Sequence, residues 1–305
     1  VGLNPYLFEL ANIRDQCSWV HMQMPAEATD KAKDLVRMAV NRVVNNRPLH
    51  GQPLPITHSA LVVGGGVAGM TAALKMAGQG FDVSLIEREP ELGGNALHIH
   101  STLRNKRLQE KLGEMIAQVN EHPRITVYRN ANLKQVDGFV GNFHSVVAYR
   151  HNGSGPLEAN IDHGVIIVAT GAEERKTTSF LYGQDSRVVT QRQLEESLAS
   201  GAFALPEGKR GTVVMIQCVE SRTKEHPYCS RVCCSQALKN AIDLKTRYPE
   251  SNVVILYRDI RSYGFREKYY QKARDLGVLF VRYDPDPNEQ GRGGMPQVEN
   301  RDGRL

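Results

Sequence analysis

From residue 59 onward the apolar positions fall into short runs separated by amphipathic stretches, the alternation of strands joined by helices. Runs at 60–63, 81–87, 125–129 and 165–169 predict buried strands, and helices are predicted over 69–78, closed by Gly80, and over 103–120. Two further strands, 141–150 and 157–161, flank Asn152-Gly153-Ser154-Gly155 and predict an antiparallel excursion. A second set repeats the alternation: strand 212–218, helix 230–247, strand 252–257, helix 267–276 and strand 278–283. Ahead of these, 5–20 predicts one helix and 28–45 a stronger one, with Leu35, Val36, Val40, Val43 and Val44 in a stripe at helical spacing. Pro48, Pro53 and Pro55 then break the period and mark a linker. Pro, Gly and charge dominate from Asp284 to the end, which reads as loop or disorder. The expected fold class is α/β: a helical N-terminal segment (1–57), then two Rossmann-like dinucleotide-binding-type domains (58–205 and 206–305).

Composition narrows the function classes. The 305 residues suit two domains, and 41% hydrophobic with 23% charged residues is ordinary for a chain with a real core. Lys+Arg 38 against Asp+Glu 33 leaves +5, spread without blocks of like charge, so nucleic acid is not indicated. No apolar run approaches the roughly 20 residues of a spanning helix. No charged-then-apolar leader opens the chain, and its first residue, Val rather than Met, reads as a processed or truncated end. Ser/His/Asp and paired-carboxylate constellations are lacking, so hydrolytic chemistry has no support.

Leu61-Val62-Val63-Gly64-Gly65-Gly66-Val67-Ala68-Gly69 reads as strand, G-x-G-x-x-G, helix. Gly64 permits the tight turn, Gly66 lets the backbone approach a pyrophosphate, and Gly69 allows close helix–strand packing. The helix start at Val67 and Ala68 adds unpaired N–H groups and a positive dipole end. Glu87 ends the next strand, where a carboxylate accepts both ribose hydroxyls, with Arg88 beside it. Glu91-Leu92-Gly93-Gly94-Asn95 follows, and Ala169-Thr170-Gly171 closes a later strand. In this order the motifs resemble the fingerprints of flavoproteins with two dinucleotide domains, which makes 58–205 the expected FAD-binding domain. There Gly93-Gly94 would approach the FAD pyrophosphate, with Leu133 as a further contact. The third fingerprint of that superfamily, a Gly-Asp pair near the C-terminus, does not occur in this sequence.

The second half has no glycine finger. After strand 212–217 the turn reads Cys218-Val219-Glu220-Ser221-Arg222, with side chains where a pyrophosphate needs bare backbone and a carboxylate that would repel it. A nicotinamide cofactor is therefore not expected here. In its place stand Cys218, Cys229, Cys233 and Cys234, spaced C-x10-C-x3-C-C. Four thiolates suit an iron–sulfur cluster or zinc. Were Cys229 in the first helical turn, it would share a face with Cys233. The helix N-terminus, Arg222, Lys224 and Arg231 would offset thiolate charge. A [4Fe–4S] cluster is the leading expectation. Structural zinc, lacking its paired knuckles, a dithiol/disulfide pair without C-x-x-C, and reduced core cysteines are the alternatives.

The stretch Asn4-Pro5-Tyr6-Leu7-Phe8-Glu9-Leu10-Ala11-Asn12-Ile13-Arg14-Asp15-Gln16-Cys17-Ser18-Trp19-Val20-His21 resembles the iron–sulfur A-subunit family of heterodisulfide reductases. So do the loops 63–69 and 91–95, and Ile216-Gln217-Cys218 with Tyr228-Cys229-Ser230-Arg231-Val232-Cys233-Cys234. The resemblance implies a cytoplasmic oxidoreductase, an iron–sulfur flavoprotein with a thioredoxin-reductase-like core. Such a protein carries FAD, passes electrons to partner redox subunits that reduce a disulfide, and often bifurcates them. By position, the four clustered cysteines would hold the cluster beside the flavin, and Lys239 would neighbour the isoalloxazine ring. Relatives carry an upstream cysteine-rich domain, downstream ferredoxin-like parts and cysteine-rich sequence after the Gly-Gly loop, so this chain reads as the flavin-bearing middle of a larger protein or a short member. Cys17 reads as a core cysteine, His98 and His100 as packing or solvent residues, and Tyr269 and Tyr270 as a helix face against a sheet. The competing functions are a self-contained NAD(P)H-dependent flavoprotein disulfide reductase and a zinc-stabilised scaffold without ligand.

Overall fold

The computed structural model describes residues 2–51, 53–104, 108–150, 155–205 and 211–283. The expected tail from Asp284, most of the 152–155 turn and part of the 103–120 helix lie outside them. The chain divides into two compact units between Pro55 and Ile56.

In the first unit the expected helix over 5–20 is replaced by two separate turns. Asn4 Oδ1 accepts from Tyr6 N at 3.0 Å and opens a 3-10 turn, Pro5–Leu7, after which Phe8 is extended. Asn12 Oδ1 accepts from Asp15 N at 2.9 Å and opens a single π-helical turn, Arg14–Ser18. Asparagine side chains thus take the N–H groups that a continuous helix would use. Helix α1 (Pro25–Val44) forms as expected, with Pro at its start, and buried Cys17 donates its thiol to the Ala28 carbonyl.

The second unit opens with β1 (Ser59–Val63), α2 (Val67–Gly78), β2 (Asp82–Ile86), α3 (Leu108–Glu121) and β3 (Ile125–Tyr128). An antiparallel meander of β4 (Asn132–Phe139), β5 (Asn142–Arg150) and β6 (Pro156–His163) follows, and β7 (Val165–Val168) returns to the first sheet. That sheet is parallel, in the order β3-β2-β1-β7. Crossover helices put every finger-side turn at the carboxyl ends of the strands, where ligands bind in such sheets. Leu61, Val62 and Leu85 are fully buried, and Met70, Ala73 and Val119 of α2 and α3 close over the sheet.

Helix α4 (Gln191–Ser200) comes next, then β8 (Thr212–Ile216), α5 (Cys233–Arg247), β9 (Asn252–Tyr257), α6 (Glu267–Asp275) and β10 (Leu279–Arg282). The second sheet, β10-β9-β8, is again parallel and repeats the strand order of the first three strands of the other. Leu238, Ala241 and Leu244 of α5 pack on Val253 and Ile255, while Leu194 and Leu198 bring α4 onto the same core. Tyr270 meets Phe280 edge-on at 4.6 Å, so that tyrosine does face the sheet. The α/β class with two Rossmann-like sheets is therefore what the chain adopts. Helix α4 and strand β4 are additions that the hydrophobic pattern does not announce.

Candidate functional site

The glycine motifs converge at the carboxyl end of the first sheet. Gly66 caps α2 with extended backbone and no side-chain cap, so the first N–H groups of that helix face outward from Val67, Ala68 and Gly69. A side chain at Gly66 would meet only open space, leaving the approach to those N–H groups clear. Gly64 has positive φ and lies under the Ala169 carbonyl, whose own N–H donates to Val63 O at 2.8 Å. Gly93 N donates to Gly65 O at 2.8 Å and forms a bridge with Gly66, so the Gly93-Gly94 loop lies directly on the finger. Both glycines of that loop have positive φ.

Glu87 is buried at the end of β2. One oxygen accepts Gly65 N at 2.6 Å and the other Glu89 N at 2.9 Å. Each keeps a second lone pair, so the carboxylate organises the glycine loop and retains capacity for a hydroxyl. Asn95 Nδ2 donates to Ala172 O at 2.6 Å and closes the loop onto the segment after Thr170-Gly171. Arg88 is exposed and pairs with Glu173 at 2.5 Å. Leu133 is partly buried in an apolar layer with Ile86 and Ala131, the residues next to Glu87 and hydrogen-bonded to it.

All four clustered cysteines are free thiols, gathered between the end of β8 and the start of α5. Helix α5 begins at Cys233, so Cys229 lies before it in the loop and the shared-face geometry expected for Cys229 and Cys233 does not form. Cys233 and Cys234 instead occupy the first turn, where the uncapped helix end favours thiolate. Charge on Cys233 and Cys229 acts on Cys218, and charge on Cys218 and Cys229 acts on Cys234, so the four share one electrostatic environment. Burial pushes the Cys218 thiol up. Cys233 and Cys234 share a hydrogen bond and titrate as a pair, with Cys234 lowered to about 7 and Cys233 raised.

Among the described residues no three metal-type side chains converge closely enough to hold a single ion. The backbone is strained here: Cys218, Glu220, Arg222 and Arg231 all have positive φ, at a cost of order 1–3 kcal/mol each. Beside Cys218 the Gln217 side chain is 2% exposed and its amide nitrogen has no partner, an orphaned donor at the thiol end of β8. These features fit an anionic sulfur cluster. Glu220 is taken up by the 175–179 segment: Thr177, Ser179 and Arg175 all donate to it, Thr177 Oγ1 at 2.7 Å, and hold it below the usual carboxylate range.

Lys239, on α5, forms a buried ion pair with Glu195 of α4. The second Glu195 oxygen accepts from His100 N at 2.8 Å and Ser101 N at 3.3 Å, in the segment following the Gly93-Gly94 loop. His98 meets Glu196 at 2.9 Å. The lysine is therefore half of a charged tie between the two ends, with a partner that sequence reasoning does not find. Thr190 and Gln193 form a capping box at the start of α4, an S/T-x-x-Q signal by which the helix carrying Glu195 could be recognised.

Taken together, the first sheet, its glycine finger and the acid at the end of β2 define an α/β protein of the Rossmann-like class, and residues 62–126 match the model of the NAD(P)-binding Rossmann-like domain family. Across nearly its whole length the chain resembles the iron–sulfur A-subunits of heterodisulfide reductases. It is 32% identical to the first of two such A-subunits of the CoB–CoM heterodisulfide reductase of Methanopyrus kandleri, over 93% of this chain and 56% of that protein. It is likewise 32% identical to the A-subunit of the H2:CoB-CoM heterodisulfide,ferredoxin reductase of Methanothermobacter marburgensis, with the same coverage. The chain thus spans about half the length of the curated relatives it matches. Among solved structures, the thioredoxin reductase of Lactococcus lactis superposes with a TM-score of 0.43 at 17% identity, covering 75% of this chain and 67% of that one. Among the described residues no helix is long and apolar enough to cross a membrane.

Proposed function

We propose that this chain is the flavin- and cluster-bearing part of an electron-transfer oxidoreductase, working with partner redox subunits toward the reduction of a disulfide. One contrast carries the reading. The two sheets share a strand order, yet the first ends in an open glycine finger and the second in four thiols. The finger residues Gly64, Gly65 and Gly66, the N–H groups of Val67, Ala68 and Gly69, and the Gly93-Gly94 loop would cradle the pyrophosphate of FAD. Glu87 would take the adenosine ribose. Cys218, Cys229, Cys233 and Cys234 would ligate a [4Fe–4S] cluster, with the α5 N-terminus offsetting its charge.

Bound FAD supplies the exchange between electron pairs and single electrons, and the cluster supplies a one-electron outlet. The chain's own part is geometric. Glu220 and Glu195 hold the thiol-bearing elements against segments that trail from the flavin loops, fixing the spacing of the two centres. Lys239 brings a cation into the same tie, as the candidate neighbour of the ring. The relatives named as subunits of heterodisulfide reductases support a place within a larger complex, and a cytoplasmic one is what that resemblance implies.

Anaerobic expression with ample iron, followed by iron, sulfide and flavin quantification on one sample, tests this. The expected result is one flavin with four iron atoms per chain and a brown protein with a broad shoulder near ~400 nm, the colour of iron–sulfur thiolates. Four titratable thiols, no iron and rapid flavin bleaching by NADPH would replace it with the dithiol reductase. One zinc and no flavin would select the scaffold.

A further inference from the structure

Three cations in the thiol segment are candidates to balance its charge, and the structure separates them. Lys224 and Arg231 are exposed. Arg222 is drawn in, its side chain 22% exposed, and its positive charge acts on the Cys218 thiol and favours the thiolate. It is fixed from three sides. Asp259 takes one end of its guanidinium at 2.6 Å, Arg258 donates to its carbonyl at 2.9 Å, and its backbone is held in the left-handed region. Asp259 is also tied to the opposite side of the thiol group, because its carbonyl oxygen accepts from Cys234 Sγ at 3.7 Å. The Arg222–Asp259 pair therefore spans from the first cysteine of the group to the last.

A planar guanidinium has donors at both ends of its fork, so Arg222 keeps donors free toward the thiols while it pairs with Asp259, which a lysine ammonium does not do with the same geometry. Adding one electron to a thiolate-held cluster adds one negative charge. A cation fixed at a ligand sulfur stabilises that state more than the oxidised one, and hydrogen bonds to ligand sulfurs are a recognised control on cluster potential.

We propose that Arg222 is the potential-setting residue of the thiolate site, a cation positioned by Asp259 against Cys218 that makes the cluster easier to reduce. This rests on the cluster reading above. The test is an EPR-monitored redox titration of the anaerobically isolated protein, with iron content measured alongside. R222Q is expected to keep its iron and to show a ratio of reduced to oxidised cluster lower by about tenfold at a fixed potential, a downward shift of about 59 mV for one electron. R231Q, which alters an exposed cation of the same segment, is expected to titrate like the wild type. R222K keeps the charge without the planar fork and is expected to lie between wild type and R222Q. It also serves if R222Q does not load. An unshifted R222Q, an equal shift in R231Q, or an unshifted R222K where R222Q is unloaded would each overturn the assignment. A wild-type protein without iron would instead overturn the cluster reading itself.

Discussion

A Cβ at Gly66 would meet nothing within 4 Å, whereas one at Gly64 would lie 2.3 Å from the Ala169 carbonyl oxygen and one at Gly69 1.8 Å from that of Gly64. The three glycines of one motif therefore separate by experiment. Gly66 has φ −75°, a value any residue adopts, so G66A is expected to fold with wild-type stability. Its methyl group would occupy the approach to the α2 N-terminus, and flavin retention is expected to fall by tenfold or more, about 1.4 kcal/mol. G69A meets backbone that does not yield, and is expected to lose about 3 kcal/mol of stability whether or not flavin is present. Thermal melts with and without added FAD distinguish the two outcomes. Equal loss of stability in both variants would mean that Gly66 is needed for the fold rather than for the ligand. This division is legible in the sequence because the finger is local: strand, turn and helix start lie within nine consecutive residues, 61–69. The place of Arg222 in the thiol segment is less so. The sequence offers three cations, and only the folded loop brings one of them inward beside Asp259.

Among the elements, the parallel strands announce themselves because their runs are continuously apolar, as in β1 and β9, which are buried along most of their length. Strand β4 gives no such signal. Its burial pattern is almost wholly exposed, and its partnership with β5 rests on backbone pairing across a bulge between Leu133 and Gln135. Helix α5 starts three residues later than its pattern suggests because the segment before it is held in strained loop geometry, with Arg231 in the left-handed region. The meander also hides a pH-sensitive element. His163 is fully buried, stacked on Phe143, with Ser145 Oγ at 2.8 Å from one ring nitrogen and the Val165 carbonyl at 3.1 Å from the other. Burial pushes its pKa below the ordinary value. The unfolded chain then binds a proton that the folded chain refuses, so stability is lost as pH falls below about 6.5. His144, exposed beside Asp162, is raised by that hydrogen bond and works in the opposite sense, adding stability at low pH and losing it as pH rises. The melting midpoint is expected to fall between pH 7 and pH 5, less steeply in H163Q and more steeply in H144Q. A slope unchanged in H163Q would remove the buried imidazole from the account.

For the whole molecule the question is how the two sheet ends are held at a fixed spacing, and the Glu195–Lys239 pair is the place to ask it. Both side chains are nearly excluded from solvent, at 5% and 11% exposure, and α4 uses the pair together with the Gln191–Asn240 hydrogen bonds to join α5. The same glutamate fastens residues 100–101, which trail from the Gly-Gly loop. Neither contact is visible in the sequence, because each joins positions far apart in the chain. Removing one member of a buried pair strands the other charge, a loss of about 3–5 kcal/mol. K239M is expected to lose that much, since it leaves Glu195 charged and buried. E195Q keeps an oxygen for His100 N and Ser101 N but strands the ammonium, so a similar loss is expected. The double variant E195Q/K239M has neither charge and keeps the acceptor, and is expected to recover more than half of the deficit. A purely structural tie would end there. If the tie also sets the spacing of the two centres, the double variant should regain stability and retain flavin and iron, yet pass electrons from flavin to cluster more slowly than the wild type in stopped-flow reduction. Full recovery of that rate along with stability would reduce the pair to a structural tie and leave the spacing to Glu220 and the packing of α4 on α5.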